Sequence, residues 1–129
     1  MFSHITLGTN NLPRAIAFYG EVLGTLGIVL KAHRHQPERA IFARPDSDVA
    51  FCVYEPIDGQ PASVGNGSLV AFEARTRHQV DRFYARALQL GGVDEGPPGL
   101  RVNYSPSYYG AYVRDQDGNK LCCVCHLEE

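Results

Sequence analysis

Four tyrosines lie close together near the end of the sequence, where their rings and hydroxyl groups can do chemistry. Within nine residues the chain carries Tyr104, Tyr108, Tyr109 and Tyr112. Because a tyrosine combines a flat apolar ring with a polar hydroxyl, such a group suits a flat organic ligand. The alternative is that alternate tyrosines belong to the core and the others to the rim of a site. Arg101 can pair with an anionic substrate there, or remain solvated.

A second chemically capable group lies in the segment KAHRHQPER. It contains His33, Arg34, His35 and Arg39. Side chains of this kind can grip an anionic group, or they can form a solvated strand end and loop.

The cysteines offer a third possibility. They are Cys52, Cys122, Cys123 and Cys125. Cys122 and Cys125 have C-x-x-C spacing, but KLCCVCHL is predicted to be a strand, which points these two side chains to opposite faces. We therefore predict buried, reduced thiols that pack as small hydrophobic groups.

Composition narrows the class of protein. The chain has 129 residues, 44% of them hydrophobic and 20% charged, which suits one globular domain. Its net charge of -2 gives no basic excess for binding nucleic acid. No secretory signal is predicted in MFSHITLGTN, and no apolar run reaches the roughly 20 residues of a membrane span. We predict a cytoplasmic protein that binds neither nucleic acid nor membrane.

The elements that position these residues occur twice. AFYGEVLGTLG from Ala17 and RFYARALQLGG from Arg82 share Phe-Tyr, a following leucine and glycines, 65 positions apart. Each predicted helix follows a strand and precedes three more. DEGPPG is predicted to be a loop, and LRVNYSPSYY to be partly extended. The order βαβββ, linker, βαβββ predicts a duplicated unit with modules at about 1–57 and 67–129, joined by a linker at 58–66.

Such a duplication predicts an α+β fold. A four-stranded sheet with its helix on one face leaves the other face open, and two copies can form a curved mixed-sheet cradle around a shared cavity. Concave surfaces of this kind are where small ligands usually bind.

With its FYGEVLG helix, its C-terminal YYGAYVRDQDGNKL and its duplicated order, the chain resembles the vicinal oxygen chelate superfamily. This group includes glyoxalase I, extradiol dioxygenases, fosfomycin-resistance transferases and bleomycin-binding proteins. The small bacterial glyoxalase-like proteins are the most similar. The resemblance covers nearly the whole chain and implies the fold more specifically than the reaction.

The resemblance implies metal ligands at four places, which here are His4, Val53, Ser68 and Cys122. Glu55, two residues after Val53, can replace it. The set His4, Glu55 and Cys122 offers zinc, nickel, iron or manganese a nitrogen, an oxygen and a sulfur ligand. The alternative is a degenerate site without an ion, in which His4 contacts a neighbour or a ligand directly.

Three functions remain open at this stage. One is a divalent-metal-dependent lyase or dioxygenase. The second is a metal-free protein that sequesters a small molecule or drug, and the third is metal-free acid–base catalysis with His4 as the base. The resemblance also implies a homodimer. The predicted ligand-binding residues are Tyr104, Tyr109, Tyr112, Arg101 and Ser68.

Overall fold

The computed structural model describes all 129 residues, and the chain divides into two compact units, residues 1–65 and 66–129. The elements of the first unit are β1 His4–Gly8, α1 Leu12–Gly24, β2 Val29–Arg34, β3 Arg39–Ala43 and β4 Ala50–Tyr54. Those of the second unit are β5 Val70–Glu73, α2 Arg77–Gln89, β6 Val93–Leu100, β7 Tyr109–Arg114 and β8 Lys120–Cys125. Neither helix is long and apolar enough to cross a membrane.

The first unit is a four-stranded sheet with α1 against it. The strand order is β1-β4-β3-β2, with β1 parallel to β4 and the other pairs antiparallel. Helix α1 begins where the Asn11 side chain accepts a hydrogen bond from Arg14 N at 3.0 Å, and Pro13 follows in its first turn. The apolar stripe of α1 is buried, as its spacing predicts; it comprises Leu12, Ala15, Phe18, Tyr19, Val22 and Leu23.

The second unit repeats this plan. Its strand order is β5-β8-β7-β6, again with one parallel pair between the first strand and the last. Helix α2 begins where Thr76 accepts a hydrogen bond from Gln79 N at 3.1 Å, and it packs on β6, β7 and β8. The rings of Phe83 on α2 and Phe72 on β5 lie 5.9 Å apart, which fixes the helix on one face of the sheet.

The predicted duplication is therefore confirmed as two βαβββ modules of the α+β class. Phe18 and Phe83, the first aromatic residue of each repeated segment, are 2% and 0% exposed and occupy matching positions on the two helices. Their partners differ, because Tyr19 is buried whereas Tyr84 is half-buried.

One predicted strand was misplaced. The segment DEGPPG, predicted to be a loop, lies within β6, and residues 101–108 form turns instead of a strand. Two prolines are tolerated because β6 is an edge strand, where an absent N–H breaks no internal ladder. The register of β6 with β7 shifts on both sides of Gly96, whose φ of 153° is one that side chains rarely adopt.

The predicted linker is partly packed against the first unit. Ala62 N donates to Asn10 Oδ1 at 2.7 Å, and Asn10 Nδ2 donates to Ala62 O at 3.4 Å. A Cβ added to Gly8 would lie 3.1 Å from the Ala62 Cβ, so this close approach favours glycine at position 8.

Candidate functional site

The second unit contains a cavity of about 540 Å³ beside the end of β8. Three tyrosines, a lysine and a histidine dominate its wall, and none of its lining residues is a carboxylic acid. The lining residues are Leu69, Tyr104, Ser105, Tyr108, Tyr112, Lys120 and His126. A cavity of this size suits a small organic molecule.

The face of the sheet that lines the cavity is the one turned away from α2. Tyr112 on β7 pairs with Cys122 on β8, and Lys120 shares its parity with Cys122. Tyr109 has the opposite parity to Tyr112 on β7, and its hydroxyl donates to Asp81 on α2 at 2.7 Å. Strand alternation therefore sends Tyr112 and Lys120 to the cavity and Tyr109 to the helix.

The turn at 101–108 places two tyrosines over this face. Arg101 N donates to Tyr108 O at 2.8 Å, and Tyr104 N donates to Arg101 O at 2.9 Å, which closes the turn. The rings of Tyr104 and Tyr108 lie 5.0 Å apart, and His126 meets Tyr108 edge to face at 5.4 Å. The cavity thus has an aromatic wall with imidazole at its end.

A chain of polar groups runs along the floor of the cavity. The hydroxyls of Tyr108 and Tyr112 lie 2.8 Å apart, and the Tyr108 hydroxyl lies 3.5 Å from Cys122 Sγ. Burial raises the pKa of both phenols and of the Cys122 thiol above their usual values. All three groups are therefore neutral at neutral pH, and the thiol is not a nucleophile there.

Two cations flank the ring of Tyr112. The Arg101 guanidinium lies 5.6 Å from the ring centroid and the Lys120 ammonium 5.7 Å from it. Arg101 also donates to Gly99 O at 2.9 Å and Pro97 O at 2.7 Å, so the edge strand β6 holds it in place. Lys120 lines the cavity, Arg101 lies beside it, and no lining residue is a carboxylate, which favours an anion there.

Of the predicted ligand-binding residues, Tyr104 and Tyr112 line the cavity and Arg101 lies beside it. Tyr109 does not, because it packs under Arg77 with its ring centroid 5.2 Å from the guanidinium carbon. Ser68 is exposed in the segment before β5 and is not among the lining residues.

Leu69, Ser105, Lys120 and His126 were missed as ligand-binding candidates, whereas Tyr108 was predicted only as a member of the tyrosine group. Lys120 and His126 have the same strand parity as Cys122, so the alternation of side chains was the signal that could have found them. Tyr108 and Ser105 come from the turn, whose path over the sheet has no comparable periodic signal.

The structure does not bring His4 and Glu55 together. His4 is opposite Ala50 at the beginning of the parallel pair β1–β4, whereas Glu55 follows Tyr54 at its far end. Five residues of strand span about 16 Å, far more than two bonds to one ion allow. Glu55 instead accepts a hydrogen bond from Leu12 N at 3.1 Å, and exposed His4 contacts Ser3 Oγ at 3.0 Å.

Comparison with known proteins decides the family. The sequence profile of the Glyoxalase/Bleomycin resistance protein/Dioxygenase superfamily matches residues 1–123. The chain belongs to this superfamily.

Solved structures agree with this assignment. A glyoxalase/bleomycin resistance protein from Albidiferax ferrireducens T118 is 40% identical with a TM-score of 0.87, covering 97% of this chain and 98% of its own. Two more distant structures show the same fold. A glyoxalase-related enzyme from Fulvimarina pelagi has 20% identity and TM-score 0.72, with coverage of 97% and 87%. A fosfomycin resistance protein from Listeria monocytogenes has 20% identity and TM-score 0.69, with coverage of 97% and 92%. No curated protein sequence matches the chain.

Members of the glyoxalase superfamily often use a divalent metal, but the expected ligand positions here do not fit one. His4 and Glu55 lie at opposite ends of a strand pair. Cys122 is fully buried, and its Sγ lies within hydrogen-bond distance of the Tyr108 hydroxyl. The set His4, Glu55 and Cys122 predicted for zinc, nickel, iron or manganese therefore lacks the required geometry, because His4 and Glu55 lie too far apart to share one ion.

Proposed function

We propose that this glyoxalase-superfamily chain binds a small organic anion with a flat ring system in the cavity of its second unit, without a metal ion. The observation that carries the proposal is the placement of Arg101 and Lys120 on Tyr112, in a cavity without carboxylates. The tyrosines supply stacking area and hydroxyl groups, and the two cations supply the charge that an anionic group requires.

This proposal favours the binding function over the other two predicted functions. A lyase or dioxygenase of the glyoxalase or extradiol type needs a metal that the residues at the family positions do not fit. His4 is exposed and is not among the residues that line the cavity, so a ligand bound there is not in reach of this base. In the cavity, His126 offers an imidazole that can hydrogen-bond a bound anion.

Two dyes with nearly the same rings test the charge requirement. 1-Anilinonaphthalene-8-sulfonate carries a sulfonate, and N-phenyl-1-naphthylamine is the same ring system without it. Lys120→Met keeps the length of the side chain and removes its charge. We expect this substitution to lower the affinity for the sulfonate dye about fivefold, since a partly exposed charge contact is worth about 1 kcal/mol. The affinity for the neutral dye should not change.

Lys31→Met is the matched control, because Lys31 is an exposed lysine on β2 in the first unit. We expect it to change the affinity for neither dye. Equal binding of the two dyes by the unchanged protein, or equal effects of the two lysine substitutions, would contradict the proposal. Fluorescence titration of both dyes measures all of these affinities.

We propose in addition that the chain forms a homodimer through the edge of its first sheet. Strand β2 is at that edge, and its Val29 and Leu30 are 42% and 41% exposed. An uncovered edge strand with apolar side chains favours pairing with a second copy.

A further inference from the structure

The turn between β2 and β3 brings together three side chains that the ligand-binding cavity does not use. They are His33, at the end of β2, His35 in the turn, and Glu38 just before β3. Their ligand atoms all lie within 4.8 Å of one another. All three belong to the first unit, whereas the cavity is lined by the second.

The two imidazoles share one carboxylate. His33 Nε2 lies 3.0 Å from Glu38 Oε2, and His35 Nδ1 contacts Glu38 Oε1 at 2.5 Å. The histidine rings lie 4.9 Å apart, centroid to centroid. Each residue therefore already directs a potential ligand atom towards the other two.

From this geometry we infer a binding site for a divalent transition-metal ion of the zinc class, held by His33, His35 and Glu38 on the β2–β3 turn. A tetrahedral ion with bonds of about 2 Å holds its ligand atoms about 3.3 Å apart, and the observed spacings need only small side-chain shifts to reach that value. Two imidazole nitrogens and one carboxylate oxygen are ligands that zinc accepts, and water completes the coordination. Among the divalent first-row metals, copper binds such sets of nitrogen and oxygen ligands most tightly.

The surroundings of the turn support a fixed arrangement. Glu38 O accepts a hydrogen bond from Glu55 N at 2.9 Å, which anchors the backbone next to the end of β4. Arg34 lies between the two histidines in sequence, and Arg39 follows Glu38. The Nη1 of Arg39 donates to His35 O at 3.1 Å and to Pro37 O at 3.0 Å.

The test is zinc titration of untagged, chelator-treated and dialysed protein by calorimetry. We expect one zinc ion per chain. His35→Ala should lower the zinc affinity by more than about tenfold. Losing even a residue that only hydrogen-bonds a metal ligand often costs that much affinity, and His35 is itself a proposed ligand. The double substitution His33→Ala with His35→Ala should abolish it. All these side chains are at least one-third exposed, so the variants should fold, and circular dichroism checks this.

His78→Ala is the matched control, because His78 is an exposed histidine on α2 outside the turn. It should leave the zinc affinity unchanged. Cobalt(II) gives a second readout, since its visible d–d bands should appear with the unchanged protein and with His78→Ala but not with the double variant. Failure of the unchanged protein to bind zinc, or the same affinity in the double variant, would overturn the inference. Dye binding should be unaffected by zinc, so this outcome is separable from that of the cavity.

Discussion

At the scale of single residues, neighbouring tyrosines have separate tasks. Tyr108 lies over the cavity with its hydroxyl near Tyr112 and Cys122, whereas the next residue, Tyr109, donates to Asp81 on α2. The division follows from the boundary of β7. Tyr109 begins that strand with the parity that faces α2, whereas Tyr108 belongs to the turn that lies over the opposite face.

Removing one hydroxyl at a time separates these tasks. Tyr109→Phe should lower the free energy of unfolding by about 1 kcal/mol, because it deletes one hydrogen bond to a carboxylate, and should leave the sulfonate-dye affinity unchanged. Tyr108→Phe should change that affinity, because its hydroxyl bonds inside the cavity. Urea unfolding and dye titration of both variants provide the comparison. A change in dye affinity for Tyr109→Phe alone would contradict the assigned faces.

The sequence predicted part of this site. The tyrosine cluster pointed to Tyr104 and Tyr112 because their spacing is visible in the chain. The separation of His4 from Glu55 was not visible, because it depends on the register of the parallel pair β1–β4, which local sequence does not specify. Reasoning from the family pattern also directed attention to position 122 and away from Lys120, two residues earlier on the same face.

At the scale of elements, the two helices of the chain and the four strands of the first unit were predictable. In these segments the helix caps and the apolar periodicity agree. Strand β6 was not, because its pairing comes from its place beside β7 and not from its composition of glycine and proline. That edge strand nevertheless supplies the carbonyl groups that hold Arg101 at the cavity.

The two helices should contribute similarly to stability through their matching phenylalanines. Phe18→Ala and Phe83→Ala should each lower the free energy of unfolding by about 3–5 kcal/mol, because each removes a buried ring and leaves a void. Phe2→Ala is the control, since Phe2 is 58% exposed and should cost little. Chemical denaturation of the three variants measures this. A small decrease in the free energy of unfolding for Phe18→Ala or Phe83→Ala would show that the substituted ring is not part of a packed core.

At the scale of the whole molecule, the chain combines two copies of one structural plan with different chemistry in each. The second unit has the cationic aromatic cavity, and the first has the histidine–glutamate turn and an exposed edge strand. Duplication thus fixed the architecture, while the side chains on each copy differ in what they can bind.

The proposed dimer predicts a mass twice the 14.2 kDa of one chain, measured by light scattering after size-exclusion chromatography. Leu30→Glu should convert it to a monomer, because it places a charge on the exposed edge of β2. Leu127→Glu is a matched control, since Leu127 is exposed but lies outside any strand. A single-chain mass for the unchanged protein at high concentration would exclude the dimer.

The central claim is that a flat organic anion binds in the cavity of the second unit, and amide chemical-shift mapping tests it most directly. On titration of ¹⁵N-labelled protein with 1-anilinonaphthalene-8-sulfonate, the account predicts saturable shifts concentrated in residues 101–112 and 120–126. Lys120→Met should require more dye to reach the same shifts. Shifts concentrated in the first unit, or spread over the surface without saturation, would contradict the claim.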